Sequence, residues 1–136
     1  MKKRFYQRDL TKKSNYSLNQ AAKNTGVRNF DKFHNAGYKG LYNGETADDI
    51  AKRKGLRYRE DILDNMGSEE LAANLFRITQ TESRLKRDKV DTEKKACYTH
   101  NKIGKIVRKA IKEAGRNNAR RITNTKKEFK TTWKRE

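Results

Sequence analysis

The chain has 136 residues, enough for one modest domain, and its 35 lysines and arginines against 17 aspartates and glutamates give a formal net charge of +18. Such an excess indicates nucleic acid or an anionic membrane as the partner, yet no apolar run approaches the roughly 18–20 residues of a membrane-spanning helix. The single cysteine excludes an internal disulfide and a cysteine-rich zinc site, and a charged N-terminus without an apolar stretch behind it predicts a cytoplasmic protein.

The positive charge is concentrated at the two ends of the chain. Residues 1–28 hold eight basic residues and one acidic residue, residues 29–114 hold 19 and 14, and residues 115–136 hold eight and two. The net charges are therefore +7, +5 and +6. This distribution predicts a basic N-terminal arm that leads into a nearly balanced helical domain, followed by a basic C-terminal tail. The tail is either a helix that packs or an arm that folds on nucleic acid.

Helix signals run through the central segment in chain order. The glycine- and tyrosine-rich stretch 35–44 is typical of a loop. Two short helices are expected next, at about 46–54 and 59–66, since each is followed by glycine. Apolar residues then recur at steps of three and four over 69–89 and again over 92–114. With no sustained strand alternation and no proline, the sequence predicts an all-α fold, a small multi-helix domain with basic N- and C-terminal arms.

The basic residues form the candidate nucleic-acid-binding set. In the helix over 92–114 they lie opposite the apolar face, and their single sign exceeds what a merely solvated face requires. Near the N-terminus they alternate with Phe5, Tyr6 and Tyr16, a combination that suits single strands or structured RNA. The candidates are Lys2, Lys3, Arg4, Arg8, Lys12, Lys13, Lys102, Lys105, Arg108, Lys109, Lys112, Arg116, Arg120, Arg121, Lys126 and Lys127.

No group of residues suggests catalysis. His34 and His100 lie far apart in sequence and outside any metal-binding motif, so they are interpreted as structural or surface residues, and neither metal nor cofactor is expected. Cys97 and His100 could meet on one helix face, but a small buried thiol beside a hydrogen-bonding histidine is favoured over a nucleophile and its base. Glu69 and Glu70 are interpreted as ordinary first-turn or solvated acids.

The glycines at positions 37, 40 and 44 superficially suggest a phosphate-binding loop. A P-loop requires Gly-Lys followed by Ser or Thr after a buried strand, whereas Gly44 is followed by Glu45. Tyr38 and Tyr42 in the same stretch are favoured as packing groups over base-stacking platforms. The stretch therefore gives only a weak indication of ligand binding.

Several stretches together resemble one known family. The longest is the seventeen-residue run MGSEELAANLFRITQTE at 66–82, and shorter ones are GLY at 40–42, LKRD at 85–88, Thr99-His100, and GKIVR at 104–108. On these residues the chain resembles the C-terminal half of the bacterial DNA-damage-inducible protein D family, over roughly residues 10–114. The resemblance implies a role in the damage response and in modulating recombination on DNA, with no established active site.

The resemblance also implies an unusual setting. Full-length members carry an N-terminal BRO-type domain that this sequence lacks, and the basic stretch after Gly115 replaces the proline-containing end that usually follows the last family helix. The expectation is a stand-alone, re-tailed protein of a bacterial cell, encoded by a phage, a plasmid or another mobile element.

Two function hypotheses follow, and both involve binding without catalysis. The first is a nucleic-acid-binding accessory protein, on DNA or RNA, that modulates DNA-processing machinery such as a recombinase. The second is a stoichiometric inhibitor of a host defence nuclease, an anti-CRISPR protein that acts on guide RNA, target DNA or the CRISPR-Cas effector complex. A ribosomal-type or plain structural role ranks third.

Overall fold

The computed structural model describes residues 2–59 and 62–115, with side chains from Tyr6 onward, and the regular structure in these residues is entirely helical. The predicted all-α class is confirmed. Within the same residues, no helix is both long enough and apolar enough to cross a membrane. The α-helices are α1 (Lys2–Asn24), α2 (Phe30–Leu41), α3 (Ala47–Arg53), α4 (Ser68–Arg87) and α5 (Glu93–Ala114).

The N-terminal segment is part of the helical core. Helix α1 packs along α4, and its residues Leu18, Ala21 and Ala22 are buried. They belong to an apolar cluster that also draws on the other long helices: Leu18, Ala21, Ala22, Val27, Phe33, Ile78, Leu85 and Ala96. The sequence-based boundary at residue 28 therefore lies inside this cluster, which continues from Val27 to Phe33.

The prediction of a loop over 35–44 is wrong, because α2 continues through Leu41. The helix begins at Phe30 and is capped by Asn29, whose Oδ1 accepts a hydrogen bond from the Lys32 backbone N–H at 3.0 Å. The chain leaves the helix direction only in the turn at Asn43 and Gly44, which have φ values of +53° and +102°. The two internal glycines that suggested a loop lie instead where α2 packs along α5.

The middle of the chain contributes most of a second apolar cluster, which also includes residues of α2, α4 and α5. Helix α3 begins as predicted at Thr46, which forms a capping box with Asp49. No α-helix forms over the described residues of 59–66, so that prediction is wrong there: Arg59 is in 3₁₀ conformation and a 3₁₀ turn follows at Leu63–Asn65. The four-residue step from Ile62 to Met66 suggested a helix, but both side chains are buried because a short connector enters the core there. The cluster comprises Leu41, Tyr42, Ala47, Ile50, Ala51, Ile62, Met66, Leu71, Ala73, Ile103 and Val107.

Candidate nucleic-acid interface

The orientation of α5 is fixed at its first turn. The Thr92 side chain caps the helix by accepting from the Lys95 backbone N–H at 3.2 Å. The Glu93 carboxylate accepts from the backbone N–H groups of Arg28 and Asn29 at 2.9 and 2.8 Å, and these hydrogen bonds lower the pKa of Glu93. The start of α5 is thereby attached to the connection between α1 and α2, which determines which side of α5 faces solvent.

The inner face of α5 packs on α2 and α4, and its outer face is basic. The buried side consists of Ala96, His100, Ile103, Gly104 and Val107. Because an α-helix turns about 100° per residue, the side chains opposite this set point to solvent. We call them the α5 lysine face: Lys94, Tyr98, Lys102, Lys105, Lys109 and Lys112, all of which are exposed. Over 94–112 the sequence contains no acidic residue.

Arg108 differs from its lysine neighbours. Its guanidinium is half-buried, and its Nη1 donates to the Leu41 carbonyl oxygen of α2 at 3.2 Å. The Asn101 amide likewise donates to the Ala36 carbonyl oxygen at 2.9 Å. Burial lowers the pKa of Arg108. Two of the polar side chains of α5 are therefore used to hold α2, and Arg108 does not lie on the α5 lysine face.

The N-terminal candidates are divided between internal contacts and the surface. Arg8 and Lys12 both pair with Asp64, at 3.4 and 3.2 Å, on the connector before α4. Lys13 is exposed on α1, where Tyr16 is also exposed. The remaining candidates lie outside the described residues or have undescribed side chains: Lys2, Lys3, Arg4, Arg116, Arg120, Arg121, Lys126 and Lys127.

A buried polar network lies beneath α5, and sequence reasoning missed it. Arg77 of α4 is fully buried, with its Nη1 2.6 Å from His100 Nε2 and its Nη2 donating to Asn74 Oδ1 at 3.0 Å. Since arginine only donates, His100 Nε2 accepts, so the proton is on Nδ1, which donates to the Phe33 carbonyl oxygen at 2.9 Å. The Arg77 guanidinium also lies over the Tyr38 ring, 4.7 Å from its centroid.

The network continues to Glu70, which lies in the first turn of α4, one of the two positions expected for it, but is fully buried and therefore not solvated. Its carboxylate accepts hydrogen bonds from Lys54, at 2.8 Å, and from the Tyr42 hydroxyl. Burial raises the pKa of Glu70 and of Tyr42. Tyr42 is a packing group, as favoured from the sequence. A signal was present, because Glu70, Asn74, Arg77 and Thr81 recur at steps of four and three beside the apolar residues of α4.

The network also brings the two histidines together. Their ring centroids lie 6.2 Å apart, and His34 Nε2 lies 2.6 Å from Asn19 Oδ1. Within 2–59 and 62–115, no three histidine, cysteine or carboxylate side chains gather in a way that would hold a metal ion. Burial raises the pKa of the Cys97 thiol, which is the opposite of what a thiolate nucleophile needs. The arrangement is that of a structural core.

Comparison with known proteins identifies the family. The family described as the DinD C-terminal domain matches residues 1–132. The chain belongs to this family. DNA damage-inducible protein D of Escherichia coli strain K12 is 48% identical over 116 residues, which cover 83% of this chain and 42% of that protein. The chain therefore spans less than half of its relative's length. No solved structure matches it significantly.

The family match corrects the extent inferred from the sequence. The resemblance was placed at roughly 10–114, whereas the DinD C-terminal domain includes residues 1–132. It therefore takes in the whole of α1 and most of the basic stretch after Gly115, which was interpreted as a replacement for the usual family end. The α5 lysine face lies well inside the domain, between the run 66–82 and this basic stretch.

Because His34 is largely removed from solvent and has a lowered pKa, we expect this DinD C-terminal domain to have a pH-dependent stability. Burial, reinforced by the nearby Arg77 charge, lowers the pKa of His34 from 6.5 to about 4. The unfolded chain therefore takes up a proton near pH 6.5 that the folded chain takes up only near pH 4. Stability from neutral His34 is complete above pH 6.5 and is lost as the pH falls towards 4, by up to about 3 kcal/mol.

Urea unfolding at about pH 7.5 and about pH 5 measures this loss, with His34→Gln as the matched variant. Glutamine keeps an N–H donor for Asn19 and does not titrate, so H34Q should show a smaller loss between the two pH values. If wild type and H34Q lose equal free energy of unfolding between the two pH values, the pH dependence does not come from His34.

Proposed function

We propose that this domain is a non-catalytic nucleic-acid-binding accessory module of the bacterial damage response, which modulates DNA-processing proteins by occupying the nucleic acid they act on. The observation that carries the proposal is the α5 lysine face, a run of exposed cations uninterrupted by acid over 94–112. Its damage-response setting is inferred from the family and from the name of the E. coli relative. A row of cations that have no acidic partner among residues 2–59 and 62–115 fits the regular charge of a phosphate backbone.

The structure favours nucleic acid over a membrane surface as the polyanion. A helix that binds a membrane interface inserts its apolar face among the lipids while its lysines stay at the headgroups. The apolar face of α5 is buried against α2 and α4, so it is unavailable for insertion. The exposed side of α5 is mainly cationic, with Tyr98 and Ile106 among the lysines, which suits contact with phosphates from one side.

The internal polar groups support binding over catalysis. Arg77, Glu70 and His100 are fully buried, with Arg77 in contact with His100 and Glu70 accepting from Lys54, so these groups stabilise the core and do not face solvent. No observation favours the second hypothesis, the inhibitor of a host defence nuclease.

Titration with labelled nucleic acid at several salt concentrations tests the proposal. If the five lysines of the α5 lysine face each neutralise one phosphate, log K should fall with log salt at a slope of about −3.5 on a single strand and about −4.5 on a duplex. The nucleic acid should be recovered intact, and binding should saturate at stoichiometric protein. Polyglutamate serves as the control, because it is a polyanion that carries neither bases nor phosphates. An affinity that stays unchanged across the salt range would contradict the proposal.

A further inference from the structure

Tyr98 lies between two lysines of the α5 lysine face. It is 68% exposed and lies four residues from both Lys94 and Lys102, one helical turn away on either side. Lys105 and Lys109 follow at seven and eleven residues, which keeps them on the same stripe. The rise of the helix places the Tyr98 and Lys102 Cα atoms about 6 Å apart. An aromatic ring is thus presented to solvent with a positive charge above and below it.

The α5 lysine face lacks the groups that read base edges. Base readout in a groove relies on two-pronged side chains, above all guanidinium and amide groups. The two such side chains of this part of α5 are Arg108 and Asn101, and both donate to carbonyl oxygens of α2. The α5 lysine face itself consists of lysines, which act as point charges on phosphates, and Tyr98, with Ile106 exposed beside it. Such a face recognises backbone charge and a base plane, and it does not select a sequence.

We propose that the α5 lysine face binds single-stranded nucleic acid without sequence preference, with Tyr98 stacked on an unpaired base while Lys94 and Lys102 contact the flanking phosphates. This inference rests on the proposed function and specifies the ligand class of the same face. Every base has a π-face, so stacking is tolerant of sequence, whereas the base planes of a duplex are covered by their neighbours. Tyrosine beside lysine is therefore useful on a single strand and of little use on a double strand.

Fluorescence polarisation with the full chain tests the inference, using oligothymidylate of about 20 nucleotides and a hairpin duplex as probes. Tyr98→Ala should weaken binding to oligothymidylate by about 10- to 100-fold, and Tyr98→Phe should bind within about 2-fold of wild type because it keeps the ring. Both variants should bind the duplex as wild type does. Because Tyr98 is exposed, neither change should alter the melting temperature.

Tyr58→Ala is the matched control, because Tyr58 is also exposed, at 55%, but follows α3 and lies beside Arg57. It should bind both probes unchanged. A probe carrying 2-aminopurine should show quenching with wild type and Tyr98→Phe and lose it with Tyr98→Ala.

The outcomes distinguish failure of the stacking inference from failure of the proposed function. If Tyr98→Ala binds oligothymidylate as tightly as wild type, or loses duplex and single-strand binding equally, the stacking inference is overturned while the proposed function stands. If wild type binds neither probe, both are overturned. Selective loss on the single strand supports the inference.

Discussion

Replacing Lys102, Lys105 and Lys109 together by glutamate is expected to reduce nucleic-acid binding by more than about 100-fold. Each change replaces a cation that releases a counterion with an anion that repels the same phosphate, so the α5 lysine face is inverted at its centre. The helix should persist, because glutamate is a good helix former and the buried side of α5 is untouched. The measurement is the titration with labelled nucleic acid, with helix content checked by circular dichroism.

A second triple variant with the same net charge separates the face from total charge. Lys52, Arg57 and Lys86 are exposed on α3, on the segment after it and on α4. Their reversal should weaken binding far less, since none of them belongs to the α5 lysine face and the field of an exposed charge is screened over about 8 Å at physiological salt. If both triple variants lose affinity equally, binding depends on overall charge and the α5 lysine face is not the interface.

The two faces of α5 were predictable in part, because they depend on one helix. Side chains at steps of three and four share a side of any α-helix, so the apolar set at Ile103 and Val107 and the lysines opposite it follow from spacing alone. The same spacing assigns Ile106, Ala110 and Ala114 to the apolar face, and these three are exposed. The direction of Arg108 was not predictable in this way. It lies at the edge of the two faces, and only the position of α2 decides that its guanidinium reaches the Leu41 carbonyl oxygen.

The buried network shows a different limit of sequence reasoning. Charged side chains are seldom fully buried, so nothing in the sequence indicated that Glu70 or Arg77 lies in the core. What allows their burial is a set of partners from other helices and connectors, Lys54, Tyr42 and His100, which the sequence does not connect to them. The spacing of polar residues along α4 predicts that they share one side of the helix. It does not predict which side chains of other elements pack against that side.

The incorrect prediction of a loop over 35–44 is explained by the packing of α2 on another helix. Glycine lowers helix propensity by about 1 kcal/mol relative to alanine, so glycines close together were taken for a loop. In the structure Gly37 and Gly40 of α2 meet Gly104 of α5, and the backbones approach closely there because none of the three carries a side chain. The packing of α2 on α5 overrides the local preference.

Gly104→Ala is therefore expected to destabilise the protein, although helix propensity alone predicts the opposite. A Cβ at this position would lie 2.6 Å from the Gly37 carbonyl oxygen, 2.8 Å from the Leu41 backbone nitrogen and 3.0 Å from the Gly40 Cα. All three are backbone atoms of α2, so only a shift of the whole helix can relieve the contact. Such a shift also strains the hydrogen bonds that α5 side chains donate to α2 carbonyl oxygens, at Phe33, Ala36 and Leu41.

The cost of overpacking, typically 1–3 kcal/mol, should exceed the gain of about 1 kcal/mol from replacing a helical glycine, because rigid backbone faces the new methyl group on three sides. With the lost hydrogen bonds, we expect a net loss of about 2 kcal/mol and a fall in Tm of roughly 5–10 °C in thermal unfolding. Ala110→Ser is the control, an equally small enlargement at an exposed position of α5, and should shift Tm by no more than about 2 °C. If Gly104→Ala instead raises Tm, helix propensity dominates at this position, and α2 and α5 pack less closely than the glycine contacts require.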